Sequence, residues 1–292
     1  MLNFRLSGKC HEQTPQSTYF CSMMKLILPG FVLLITITSC NNQDHAKENP
    51  GIASETAASR EKILKDSIAK FPDSLLLQEQ LIQFYRDSAN YDKAIAAVDQ
   101  VLKSDSLNDR FWYIKATLHF ENEDTINSIR SFETALRLAP SPQYLIFLGT
   151  LYAQTKNPKA LSVANALVNS RQPETEKEAY YIKGLYLNYI GDKVNAIAAL
   201  DKCLSLDSRY MFAYREKGIA LYDMGKYEDA ITVLDKAVTL QNNFDEGYYW
   251  LGRCLEKLNK PNDAIEEYKM ALLYSNNDYD EAKQALARLG VK

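Results

Sequence analysis

Residues 211–244 read MFAYREKGIALYDMGKYEDAITVLDKAVTLQNNF, and the chain on either side repeats their spacing. Gly218 has a counterpart 34 residues earlier, Gly184, and another 34 residues later, Gly252. Tyr180, Tyr214 and Tyr248 lie four residues ahead of these glycines, and Ala196, Ala230 and Ala264 lie twelve residues behind them. Apolar pairs follow at sixteen and nineteen: Leu200 with Cys203, Leu234 with Ala237, Tyr268 with Ala271. A fixed period of this length marks a solenoid in which one supersecondary unit stacks on copies of itself. In such a fold, function belongs to a surface shared among repeats rather than to one compact pocket.

With Gly218 counted as position 8, the frame resembles the tetratricopeptide repeat, a helix-turn-helix unit of the same 34-residue period. That family keeps small residues at positions 8, 20 and 27 and large apolar ones at 4, 7, 11 and 24. Small residues there let helix A, helix B and the next repeat approach closely. Residues 177–210 and 245–278 match in the same register. In 109–141, Ala116 replaces the glycine, with Trp112, Phe132, Ala135 and Pro140 at positions 4, 24, 27 and 32. Residues 75–108 fit through Leu81, Tyr85, Ala94 and Val98. The unit 142–176 is irregular: Leu148, Gly149 and Tyr152 match, Ala160 comes one residue early, and a long exit loop is expected over 169–176.

The resemblance implies an all-α, right-handed solenoid of about six repeats over 75–278, with a capping helix at each end. Gly191, Gly225 and Asn259 fall in the A–B turns, where a left-handed backbone ends a helix. Asp73-Ser74 and Asp207-Ser208 precede new helices and are expected to cap them. Ala282, Ala285, Leu286 and Leu289 form a helical stripe closed by Gly290, within a C-terminal cap over 279–292. Leu64, Ile68 and Phe71, before Pro72, form another stripe in an N-terminal cap over 59–74.

The first residues read as an address. Met24-Lys25 precedes an apolar run, 26–37, and then Thr38-Ser39-Cys40. The run is shorter than the about 20 residues of a membrane-spanning helix and has the layout of a secretory signal. Ile37-Thr38-Ser39-Cys40 resembles the bacterial lipoprotein box, which implies lipidation of Cys40 and a signal over 23–39. An uncleaved anchor, or a cleaved signal beside a chance cysteine, are the other readings. Residues 1–22 fit poorly ahead of such a signal and read as a mis-called extension. Residues 40–58 are polar, with Pro50-Gly51, and read as a tether. Asn41 follows the cysteine where an aspartate is absent, a pattern that in enteric bacteria points to the outer rather than the inner membrane. The expected location is therefore the cell envelope, facing the periplasm or cell surface.

The chain carries 34 basic and 37 acidic residues; without 1–39 the balance is 31 to 36. A duplex-binding surface would need a basic excess, so nucleic acid is not the expected partner. Of five cysteines, only Cys203 and Cys254 lie in the repeats; they read as buried thiols too far apart to bridge. No metal-ligand spacing, phosphate loop or nucleophile motif appears, and no cofactor, metal site or catalytic residue is expected. His119, the one histidine of the repeats, occupies position 11 and reads as packing.

In the resembled family, helix-A positions 2, 5, 9, 12 and 13 line a concave groove. Here they include Tyr113, Phe120, Ile146, Tyr181, Leu185, Tyr189, Phe212, Arg215, Tyr222, Tyr249 and Arg253. Tyrosine, phenylalanine and arginine are prominent in protein-binding hot spots. The other reading is that these side chains pack on one another. Some family members grip a C-terminal carboxylate with lysine at position 5 and asparagine at position 9, and no repeat here has that pair. The expectation is a non-catalytic adaptor, tethered through Cys40, that holds an extended protein segment or an amphipathic helix. A self-assembling oligomer, or a carrier or enzyme for a small ligand, are the alternatives.

Overall fold

The computed structural model describes residues 57–170 and 172–291, and these contain fourteen helices and no strand. The signal, Cys40 and most of the tether lie outside the described residues. The described chain divides into two compact units, one ending at Leu81 and one starting at Ile82.

The first unit holds α1 (Ala57–Lys70) and the opening of α2 (Leu75–Asp87). Helix α1 starts at Ala57, inside the expected tether. None of its residues is buried, and Phe71 of the expected stripe is exposed. Ser74 Oγ accepts from the Leu77 amide at 3.5 Å, so Ser74 stands where the sequence places a cap.

The second unit continues with α3 (Tyr91–Ser104), α4 (Asp109–Glu121), α5 (Thr125–Leu138), α6 (Pro142–Gln154) and α7 (Lys159–Asn169). It goes on through α8 (Pro173–Ile190), α9 (Lys193–Leu206), α10 (Met211–Asp223) and α11 (Tyr227–Leu240). It ends with α12 (Asp245–Lys257), α13 (Pro261–Tyr274) and α14 (Asp280–Arg288). From α3 onward each helix packs on the next, and the A helix α10 also meets both α8 and α12. This is an all-α repeat solenoid.

The turns follow from local chemistry. Gly191, Gly225 and Asn259 have φ of 91°, 74° and 56°, the left-handed conformation expected of them. Asn108, Asp124 and Asp192 accept from backbone amides three residues on, which satisfies donors that α4, α5 and α9 would otherwise leave open. Asp207 behaves differently from the expected cap. It ends α9, accepts from the Arg209 amide at 3.0 Å and pairs with Lys177 at 2.6 Å, while Tyr210 precedes α10.

The expected loop 169–176 is shorter than the sequence suggested, because α8 begins at Pro173. Proline is favoured in a helix's first turn, since its missing N–H has no acceptor there. Buried Thr175 anchors the added turn by donating to Leu167 O at 3.1 Å and meeting Ser170 Oγ at 2.9 Å.

The small residues sit where the helices touch. A β-carbon on Gly218 would stand 2.7 Å from Leu234 Cδ2, and one on Gly252 would stand 2.7 Å from Tyr268 Cε1. In each case position 8 receives the large residue sixteen places later. Gly218→Leu is therefore expected to cost about 1–3 kcal/mol by overpacking. Urea unfolding of the two proteins checks this, and an unchanged midpoint would show that α10 and α11 can separate freely. At the C-terminus, Ala282, Ala285 and Leu286 of α14 are buried, and Arg288 Nη2 donates to Glu256 Oε1 at 2.7 Å.

Candidate partner-binding face

The eleven groove residues lie on five successive A helices: Tyr113 and Phe120 on α4, Ile146 on α6, and Tyr181, Leu185 and Tyr189 on α8. Phe212, Arg215 and Tyr222 are on α10, and Tyr249 and Arg253 on α12. Tyr113, Phe120, Ile146, Tyr189, Phe212, Tyr222 and Arg253 are half-buried. Tyr181, Leu185, Arg215 and Tyr249 are buried, at 1%, 1%, 2% and 7% exposure, and present little surface to a partner.

The earlier repeats gather rings. Tyr113 stacks on Tyr144 with centroids 5.1 Å apart and approaches Phe132 and Phe147 at 5.8 Å. Its hydroxyl accepts from Gln143 Nε2 at 3.3 Å, and burial raises its pKa. Tyr144 donates to Asp109 Oδ2 at 2.7 Å. Arg86 and Glu121 form a close ion pair nearby in sequence register, from α2 to α4.

The later repeats close around a charge. Arg215 Nη1 donates to Glu246 Oε2 at 2.6 Å, and its Nε and Nη2 donate to Glu216 Oε1 at 3.1 and 3.0 Å. Asn188 Nδ2 reaches Glu216 Oε2 at 3.1 Å, and Lys193 Nζ joins Asn188 Oδ1 to Asp223 Oδ2, each at 2.6 Å. Asn188, Arg215, Glu216 and Glu246 are all buried, so α8, α10 and α12 are tied by an ionic network. Burial is the largest influence on Glu246 and raises its pKa against the opposing pull of Arg215. Sequence reasoning named Arg215 and missed Glu216 and Glu246 as its partners. Glu246 stands at position 2 of its repeat, one of the groove positions, and was the available signal.

Beyond this network, Arg253 lies over Trp250 at 4.5 Å and Tyr222 at 4.8 Å, and it donates to Tyr222 Oη at 3.2 Å. Tyr249 packs on Tyr268 and Tyr279. Ring faces and a guanidinium held edge to edge can take apolar side chains, backbone carbonyls and carboxylates.

The other polar groups serve packing. His119 Nδ1 lies 3.2 Å from Asp124 Oδ2, and burial, the largest cause, lowers its pKa. Cys203 and Cys254 are free and buried, and burial pushes both thiols up to about 12. Thiolates are the reactive form, so neither cysteine should alkylate in the folded protein. Peptide mapping after iodoacetamide is expected to show both unmodified without urea and modified in it. Labelling of the folded chain would reveal opening of these repeats. Among the described residues, no cluster of three or more metal-ligating side chains is present, and no helix is long and apolar enough to cross a membrane.

Paired antiparallel helices, small residues at each crossing and left-handed A–B turns define a helical-repeat solenoid whose A helices carry the candidate face. Tetratricopeptide-repeat profiles match residues 81–141, 177–210 and 221–289, together more than half of the chain. The chain belongs to the tetratricopeptide-repeat family. Comparison with curated sequences returned no match. Among solved structures, a tetratricopeptide repeat protein from Parabacteroides merdae is similar at 20% identity, covering 80% of this chain and 92% of that one, with a TM-score of 0.68. PilW, a widely conserved type IV pilus biogenesis factor, is similar at 20% identity over 72% of this chain and 97% of its own, with a TM-score of 0.57. Yeast Tom70 is similar at 14% identity over 80% of this chain and 58% of its own, with a TM-score of 0.54. At these identities the likeness is one of fold.

Proposed function

We propose that this protein is an adaptor, tethered to a membrane of the bacterial cell envelope by lipid on Cys40, that holds a segment of a partner protein against its A helices. The observation that carries the binding role is the run of half-exposed Tyr113, Phe120, Ile146, Tyr189, Phe212, Tyr222 and Arg253 on consecutive A helices. Aromatic and arginine side chains already held by neighbours lose little freedom on binding, which suits a docking surface. The buried network of Arg215 keeps α8, α10 and α12 in fixed register beneath Tyr189, Phe212 and Tyr222. Support for the envelope setting comes from the lipobox-like Ile37-Thr38-Ser39-Cys40 and the polar stretch after it. The shared fold with PilW, named for type IV pilus biogenesis, is compatible with that setting.

Crosslinking and co-purification from intact cells test the binding role. Wild type is compared with a Tyr113→Ala, Phe212→Ala, Tyr222→Ala triple variant shown by circular dichroism to be folded. A partner recovered with wild type and lost with the variant supports the reading. An unchanged partner set moves the site off the A helices, and recovery of further copies of this chain alone favours self-assembly. The tether is tested separately by palmitate labelling and membrane partition of wild type and Cys40→Ser. Equal partition and no label in either would remove the lipid from the reading and leave the binding role standing.

A further inference from the structure

The first helices of the chain carry an exposed apolar cluster that the last helix lacks. In α14, Ala282, Ala285 and Leu286 are buried, and the exposed residues are Asp280, Lys283, Gln284, Ala287 and Arg288. A terminal element needs such a polar outer face to remain soluble. The turn from α1 to α2 is built the other way. Phe71, Leu75 and Leu76 are 64%, 43% and 66% exposed. Among the described residues, no other run of six holds three large exposed apolar side chains. Scattered ones such as Leu107 and Leu273 are ordinary surface features.

Local hydrogen bonds hold this cluster in place. Phe71 N donates to Ser67 O at 2.9 Å, and Ser74 N donates to Phe71 O at 3.1 Å. Gln78 Nε2 donates to Pro72 O at 2.7 Å, which fastens α2 to the turn. The three apolar side chains are therefore displayed on an ordered turn, and docking does not have to order the backbone.

What covers the cluster follows from its place in the chain. The sixteen residues 41–56 separate α1 from Cys40, the lipid-bearing end in the proposed function. A stretch of that length spans at most about 58 Å even when fully extended. Helix α1 adds about 21 Å between Ala57 and the turn. A lipid on Cys40 thus keeps the turn beside the bilayer at high effective concentration, where weak insertion suffices. The local charge agrees. Residues 57–76 carry four basic side chains, Arg60, Lys62, Lys65 and Lys70, against three acidic ones, whereas the chain after residue 39 has an acidic excess. Arg60, Lys62 and Lys70 are exposed and can meet anionic headgroups. We infer that the turn between α1 and α2 docks on the phospholipid surface, with Phe71, Leu75 and Leu76 in the headgroup region. The turn lies on the membrane and does not cross it. This docking rests on the lipid at Cys40 and is independent of the partner-binding face.

Wild type, Phe71→Trp and Gln284→Trp, purified from cell membranes and reconstituted into vesicles of phosphatidylcholine and phosphatidylglycerol, test the docking. Flotation of the vesicles reads the anchor, and fluorescence quenching by lipid brominated near the headgroup reads the turn. Trp112 and Trp250 give the same background in all three chains. The fluorescence added by Phe71→Trp is expected to fall by about twofold or more, as for a side chain about 5–10 Å into the headgroup boundary. That added by Gln284→Trp, on the polar face of α14, is expected to persist. Adding Leu75→Ser and Leu76→Ser to Phe71→Trp is expected to abolish the quenching, and both leucines are exposed, so the fold is retained. A chain that floats while Phe71→Trp is not quenched overturns the docking and leaves the anchor standing. A chain that carries no lipid and does not float overturns both. Absence of quenching together with a dimer in light scattering that Leu76→Ser dissolves overturns the docking and gives the turn to a second copy.

Discussion

Replacing Arg215 by methionine is expected to destabilise the protein by about 3–5 kcal/mol, the cost of leaving a buried charge without its partner. Arg215 is 2% exposed, and its guanidinium is shared between Glu216 and Glu246, which are 4% and 5% exposed. Methionine keeps much of the volume and removes the positive charge, so two carboxylates are left facing each other in a desolvated site. The loss should be smaller at mildly acidic pH than at neutral pH. Without Arg215, burial and the neighbouring Glu216 carboxylate hold the Glu246 pKa above its unfolded value. Groups of that kind contribute stability below the unfolded pKa and lose it as pH rises through the folded one. In wild type the Glu246 pKa is already raised, so the same sign applies there in milder form. Adding Glu216→Gln and Glu246→Gln to Arg215→Met should recover much of the loss, because no charge is then stranded. Urea titrations at two pH values check all of this. A single variant as stable as wild type at neutral pH would show that water reaches the network.

Phe132→Ala is expected to cost about 3–5 kcal/mol, the range for deleting a fully buried aromatic side chain. Phe132 is 0% exposed and occupies position 24 of its repeat. Its ring stacks on Phe147 at 5.6 Å and meets Tyr113 edge-on at 5.8 Å. The cavity would therefore open beneath one of the half-exposed residues of the partner-binding face. Repeat proteins lose stability largely through adjacent interfaces, so the first transition in urea should shift most. Phe132→Leu, which refills part of the space, should lose less. If Phe132→Ala weakens partner recovery and Phe132→Leu does not, the support beneath Tyr113 matters for docking as well as for folding.

Much of this was open to inspection in the chain itself, for reasons that particular residues make plain. Gly218 could be read as a helix crossing because the demand for a small residue recurs at Gly184 and Gly252. Gly191 and Gly225 could be read as turns because few residues adopt a positive φ without strain. Cys203 could be read as an inert core thiol because it takes a place filled by alanine in the next repeats, and its burial agrees. The long loop before α8 was misjudged because Pro173 stops one helix pattern and starts another with the same residue type. Asp207 was misjudged because a short acid before a helix can cap it or close the turn behind it, and Lys177, 30 residues earlier, draws it to the turn.

The groove shows where local reading ends. Position 5 carries Tyr113, Ile146, Tyr181, Arg215 and Tyr249 on successive repeats, and nothing in the pattern distinguishes them. The structure leaves Tyr113 and Ile146 half-buried and encloses Tyr181, Arg215 and Tyr249. The sequence by itself determined the repeat period, the helix pairs, the small contacts between them and the A-helix residues from which a face is drawn. These depend on chemistry within a few turns of helix and on a frame that repeats. Only the tertiary structure decided which face residues stay open and that Arg215 is shared by Glu216 and Glu246. Burial and ion pairing of this kind depend on side chains about thirty residues apart meeting across the stack, and no local pattern encodes the distance between them.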